Sequence, residues 1–132
     1  MSEGSLTFRK NERLYGKLLI DQLFSKGNRC SLAAFPLRVV YRFRDRIDGE
    51  LPERVLISVP KRCFKRAVKR NRVKRQIREA FRKNKQILLQ NLPEQSGSQI
   101  LMAFLWQDTR LHDTAEIEKK VISLLQQMSE RI

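Results

Sequence analysis

The chain is poor in the residues that would hold a metal, close a disulfide or begin acid–base chemistry. Its 132 residues include two cysteines, Cys30 and Cys63, and one histidine, His112. Two distant cysteines make neither a zinc site nor a disulfide framework, so both read as reduced thiols of a cytoplasmic protein. A lone histidine in a polar stretch reads as a surface or capping residue. No run approaches the roughly 18–20 apolar residues that span a bilayer. The opening Met1-Ser2-Glu3-Gly4-Ser5 lacks a cationic start followed by an apolar run, which reads as no secretory signal. Glycine and proline are scarce, at five and four residues, and form no linker. No internal repeat appears either, and a single domain is expected.

Negative charge is also in short supply. Twenty-eight Lys and Arg face fourteen Asp and Glu, leaving +14 at neutral pH. Such a surplus repels itself on a small body unless it faces a polyanion. Nucleic acid is the leading candidate and an anionic membrane surface the second. The hydrophobic fraction of 41% is enough for a packed core.

The first eleven residues read as an extended arm. Leu19, Ile20, Leu23 and Phe24 then recur at helical spacing, with Gly27 placed as a left-handed C-cap. A period of two follows: Phe35, Leu37, Val39, Tyr41 and Phe43 point one way, and Pro36, Arg38, Val40 and Arg42 the other. That is a strand with one wet face, and its arginines mark a second candidate ligand surface. Residues 27–32 offer a short edge strand. Asp48-Gly49 signals a turn, and Val55 to Val59 a further strand ended by Pro60. A long helix is expected over about 66–90, stopped by Asn91 and Pro93. Ile100 to Trp106 reads as a buried strand. Asp113 with Glu116 resembles a capping box for a last helix striped by Ile117, Val121, Leu124, Leu125 and Met128. The order helix, three strands, helix, strand, helix predicts an α+β two-layer sandwich, with three helices on one face of a mixed four-stranded sheet.

Residues 61–85 hold thirteen Lys or Arg and a single acid, Glu79. A solvated helix face would mix signs at i,i+4; here such pairs are nearly absent. With Val73 as zero and 100° per residue, Ile77, Ala80, Phe81, Asn84 and Leu88 fall within roughly −20° to +80°. Lys74, Arg75, Arg78, Arg82 and Lys85 fall within roughly 100° to 200°. A core face thus adjoins an almost purely cationic one. Arginine outnumbers lysine from Arg62 to Arg82, which favours bidentate phosphate contacts. The acids are scattered, so metal-assisted hydrolysis by the protein itself finds no carboxylate pair and no catalytic residue is assigned. Three rivals remain at this level: a structural RNA-binding protein such as a ribosomal one, a protein nuclease acting alone, and a membrane- or chromatin-bound protein.

The run Ala67-Val68-Lys69-Arg70-Asn71-Arg72-Val73-Lys74-Arg75-Gln76-Ile77-Arg78-Glu79-Ala80-Phe81-Arg82 resembles the RNR motif of the bacterial ribonuclease P protein family. Ile57-Ser58-Val59-Pro60-Lys61-Arg62 resembles the strand and basic pair before it. Phe8, Lys10, Glu12-Arg13-Leu14 and Leu23-Phe24 with Gly27 resemble the family's opening signature. The likeness implies a fold like the second domain of a small-subunit ribosomal protein, with a left-handed β-α-β crossover through the basic helix. Ordinary topology rules would make that crossover right-handed.

The resemblance also implies a protein that assists a catalytic RNA, with Mg²⁺ in the RNA and no cofactor of its own. That RNA removes the 5′ leader of precursor tRNA. Lys61, Arg62, Arg70, Asn71, Arg72, Lys74, Arg75, Arg78 and Arg82 would meet the catalytic RNA, Asn71 having the alternative of fixing the helix start. Ile20, Phe24, Arg38 and Ser58 would line a cleft for the leader, Phe24 having the alternative of plain core packing. No protein partner and no membrane is implied. Lys65-Arg66 stands where the family commonly has Gly-Asn, and Ile20 and Arg38 where many members carry aromatics.

Overall fold

A computed structural model describes residues 13–14, 16–25, 27, 29–46, 50–92 and 97–131. The N-terminal arm, the Asp48-Gly49 turn and Pro93 lie outside them. The elements are α1 (Lys17–Phe24), β1 (Cys30–Ala34), β2 (Leu37–Asp45), β3 (Glu53–Ser58), α2 (Ala67–Asn84), α3 (Gln86–Leu89), β4 (Ser98–Trp106) and α4 (Thr114–Glu130). The strands form one mixed sheet in the order β1-β2-β4-β3. β1 and β2 form an antiparallel hairpin, β2 runs antiparallel to β4, and β3 runs parallel to β4. The α+β class and the mixed four-stranded sheet agree with the sequence reading.

Alternation along the strands builds two cores of unequal size. Leu37, Val39 and Tyr41 of β2 join Ile100, Met102, Phe104 and Trp106 of β4 beneath α2 and α4. Val73, Ile77 and Phe81 of α2 and Ile117, Val121, Leu124, Leu125 and Met128 of α4 are wholly buried there. Gln76, also buried, donates from Nε2 to His112 O (3.2 Å) and Thr114 Oγ1 (3.1 Å), tying α2 to the start of α4. Asp113 caps α4 by accepting from the Glu116 N–H at 3.0 Å, the bond expected of the capping-box aspartate.

Three differences from the sequence reading have physical causes. The helices do not all share one face: Val40, Leu101 and Ala103 are apolar on the second face too, and α1 covers them with Leu23. The long helix breaks at Lys85, so α2 is followed by the four-residue α3, which turns Leu88 into the main core. Lys85 itself is 2% exposed and engaged, not a member of the cationic face. The edge strand lies at Cys30–Ala34, where its pairing with Leu37–Tyr41 sets the register.

The crossover through α2 can be assigned a hand from local chirality. Ile100 turns its side chain into the core under α2, while its N–H donates toward β3, to Pro52 O at 2.9 Å. In an L-residue those two directions are linked. Seen from α2 with both strands pointing up, β3 therefore lies to the right of β4. The chain climbs β3, descends in front through α2 and enters β4 on the left. That is the rare left-handed crossover implied by the resemblance and disfavoured by general topology rules.

Candidate RNA-binding surface

Residues 59–66 lead from β3 into α2. Val59 and Phe64 are buried at either end of this stretch, and Cys63 N–H closes a turn on Pro60 O at 3.0 Å. Lys61 and Arg62 sit on that turn, both exposed. Arg70 reaches back from the first turn of α2 to the carbonyls of Phe64 and Lys65, both at 2.8 Å. Its guanidinium therefore holds the loop against the helix, a job sequence reasoning did not assign to it. The same bonds fix the loop where Lys65-Arg66 replaces the family's usual pair.

The N-cap residue of α2, Arg66, makes no side-chain cap, and the first turn holds no acid. The unsatisfied N–H groups and the positive end of the helix dipole thus add to the cationic cluster. Asn71 lies inside the helix, exposed, and makes no side-chain hydrogen bond among the described residues. It does not act as a cap. Arg72 and Arg75 project into solvent, and Lys74 and Arg78 are half-buried beside them. Arg82 ends the ridge and donates to the Glu79 carboxylate, from Nε to Oε2 at 3.0 Å and from Nη2 to Oε1. The Arg82 guanidinium holds the Glu79 carboxyl below its ordinary pKa. Glu79 thus stays charged and neutralises part of the ridge's lower end. Asn84, next on the core side, donates to Glu118 Oε2 at 2.9 Å and links α2 to α4.

On the opposite face of the sheet a row of side chains is left beyond α1. Arg38 of β2 and Ser58 of β3 both pair with Leu105 of β4, so the three lie side by side across the sheet. Ile20 and Phe24 of α1 are half-buried against the smaller core that Leu105 also borders. All four residues expected at a cleft therefore share one face: α1 supplies a wall, and Arg38, Leu105 and Ser58 supply the floor. Phe24 belongs to the packing of that core without being sealed in it. Arg38 donates to Ser31 Oγ at 2.7 Å, which spreads its guanidinium along the hairpin.

Arg42 is placed differently. Its Nη1 donates to Gln22 O (2.8 Å) and contacts Ser25 Oγ, while Arg29 Nη1 donates to Phe24 O at 2.9 Å. Two arginines thus cap the C-terminus of α1, whose Ser25 cap residue is extended; Gly27, at φ 119°, comes too late to end the helix itself. The Arg42 contacts carry no sequence signal, because they join β2 to the end of α1 across seventeen to twenty residues.

Among the described residues no group of three or more His, Cys, Asp or Glu could hold a metal, and no helix is long and apolar enough to cross a membrane. Cys30 and Cys63 are free and half-buried. His112 is not a plain surface residue: its Nε2 lies 2.7 Å from Asp108 Oδ2, and its ring meets Trp106 edge-on.

A two-sided α+β domain with a cationic ridge on one helix, countered only at its lower end by Glu79, is the form of a basic RNA-binding protein. The family described as Ribonuclease P matches residues 8–129. A ribonuclease P protein component of Porphyromonas gingivalis is 38% identical over 118 residues, covering 89% of this chain and 83% of that protein. One from Chlorobaculum tepidum is 37% identical over 102 residues, covering 74% and 65%. In fold, the chain is similar to the ribonuclease P protein of Thermotoga maritima (TM-score 0.60, 24% identity, 88% of this chain and 96% of that one). The chain belongs to the ribonuclease P protein family, and is the protein component of that endoribonuclease.

Proposed function

We propose that α2 docks the catalytic RNA through Arg72, Lys74, Arg75 and Arg78, with Lys61 and Arg62 extending the contact. The 5′ leader of precursor tRNA then lies, single-stranded, on Arg38, Leu105 and Ser58 beside Ile20 and Phe24. The observation that carries this reading is the ridge itself. Val73, Ile77 and Phe81 anchor one face of α2 in the core, so the adjoining cations are presented together along one fixed helix face.

Bond cleavage on this reading belongs to the RNA and its Mg²⁺. The protein contributes position and charge: a cation between two polyanions lowers their repulsion and keeps the leader in register. Arg70 acts indirectly by fixing the loop that presents Lys61 and Arg62. Reconstitution tests the proposal: purified protein is added to a ribonuclease P RNA at low Mg²⁺ and cleavage of a precursor is followed. Restored cleavage, with a larger gain for precursors carrying a leader than for those trimmed to a nucleotide or two, is expected. Equal gain for both would remove the leader from the proposal, and no gain would refute it.

A further inference from the structure

The basic face of α2 continues around one edge of the sheet into a crevice of about 200 Å³. Arg13 and Leu14 form one side, Lys74 and Arg78 of α2 the other, and Val55, Leu56 and Ile57 of β3 the floor. β3 is an edge strand of the sheet. The segment before α1 covers part of that edge: Arg13 bridges to Val55 in parallel, and Leu14 N–H donates to Val55 O at 2.8 Å. Past that bond the chain leaves the edge for α1 and the second face of the sheet, and the crevice opens where it departs.

Its lining has an unusual charge balance. Three cations line it and, among the described residues, no acid does. None of the three forms an ion pair among the described residues, although Lys74 and Arg78 are half-buried. Cations held partly out of water without a counter-charge are stabilised by an anion that arrives with its own apolar surface. A nucleotide has both parts. Its phosphate suits a fork of arginines and a lysine, and its sugar or base covers aliphatic floor. At about 200 Å³ the open crevice seats a phosphate and part of one nucleotide, and a duplex is too wide to enter it.

We infer that this crevice receives a single unpaired nucleotide of the catalytic RNA, its phosphate bound jointly by Arg13, Lys74 and Arg78. The inference rests on the docking of that RNA along α2 and adds Arg13, from a separate part of the chain, to the interface. The site differs from the leader groove, which lies between α1 and the floor of Arg38, Leu105 and Ser58.

A double-mutant cycle tests it on the full-length protein with the ribonuclease P RNA, using Arg13→Ala, Arg78→Ala and both together. Arg13→Ala weakens binding about tenfold and lowers the log–log salt slope by roughly 0.7–0.9, the loss of one phosphate contact. The double variant loses clearly less than the product of the two single losses, because both residues serve one phosphate. Chemical probing of the RNA 2′-hydroxyls shows one unpaired nucleotide that is shielded by wild-type protein and reopened by Arg13→Ala. Arg13→Lys restores most of the slope. Strictly multiplicative losses, or no nucleotide answering to Arg13, would overturn the crevice while leaving docking along α2 intact. Arg75→Glu serves as the control: if it leaves RNA affinity unchanged, the broader docking reading fails, and the crevice with it.

Discussion

Replacing Arg42 by alanine should loosen α1 without unfolding the sheet beneath it. α1 has eight residues, no side-chain N-cap and no cation of its own in the last turn. A helix so short is unstable in isolation and depends on what grips it. Leu23 supplies apolar burial, and the guanidinium of Arg42 satisfies Gln22 O and Ser25 Oγ at the end where carbonyls lack partners. A charged donor to a carbonyl contributes about 1.5–3 kcal/mol when desolvated. Arg42 is half-exposed and water replaces part of the bond, so about 1–2 kcal/mol is expected, a factor of about 5–30 in local opening. Arg29 still holds Phe24 O, which keeps the loss local. Amide hydrogen exchange gives the readout: α1 amides exchange faster by that factor while β4 amides keep their protection. Unchanged α1 exchange would refute the capping argument, and equal acceleration in β4 would show that Arg42 serves the whole fold instead.

Phe81→Ala removes a fully buried ring that meets Phe104 edge-on at 5.9 Å, and should cost about 3–5 kcal/mol in urea denaturation; a loss below 1 kcal/mol would show that the α2 underside is not anchored as described. Glu79→Gln removes the one counter-charge on the ridge, and should tighten RNA binding by up to about fivefold, the equivalent of 1 kcal/mol; weaker binding would contradict the charge argument. The Asp108 carboxyl is held below its ordinary pKa by its hydrogen bond to His112, aided by the Thr109 and Arg110 N–H groups. A depressed carboxylate stabilises the fold above its unfolded pKa near 4, and that contribution is lost as pH falls through the lower folded value. Asp108→Asn should therefore flatten the acid limb of a stability–pH curve below about pH 4–5; an unchanged limb would remove Asp108 from it.

How much was legible beforehand follows from which interactions are local. The period-two run from Phe35 to Phe43 and the 3.6-residue stripe of α2 each declare one buried face, and Leu37, Val39, Tyr41, Val73, Ile77 and Phe81 are buried as those periods require, whereas Phe35, in the turn before β2, and Phe43, towards its far end, are exposed. The cap at Asp113 is a three-residue pattern and was equally readable. Val40 was misjudged because alternation gives the parity of a face, while its dryness depends on α1 arriving from elsewhere. The break at Lys85 has no Pro or Gly to announce it; it follows from docking Leu88. Within the site, the cations were visible as composition and angle. Their division of labour was not. Arg70 binding loop carbonyls, Arg42 capping α1, and Arg13 lining one crevice with Lys74 all join residues that only the folded chain brings together.

On the proposed docking, the ridge of α2 neutralises phosphates of the catalytic RNA. The most direct measurement is the salt dependence of that binding for the wild type and for an Arg75→Glu, Arg78→Glu double variant. A linear log–log plot is predicted, with the variant's slope shallower by at least the two lost contacts, roughly 1.4–1.8, and its affinity lower throughout. Identical slopes for the two proteins would contradict it.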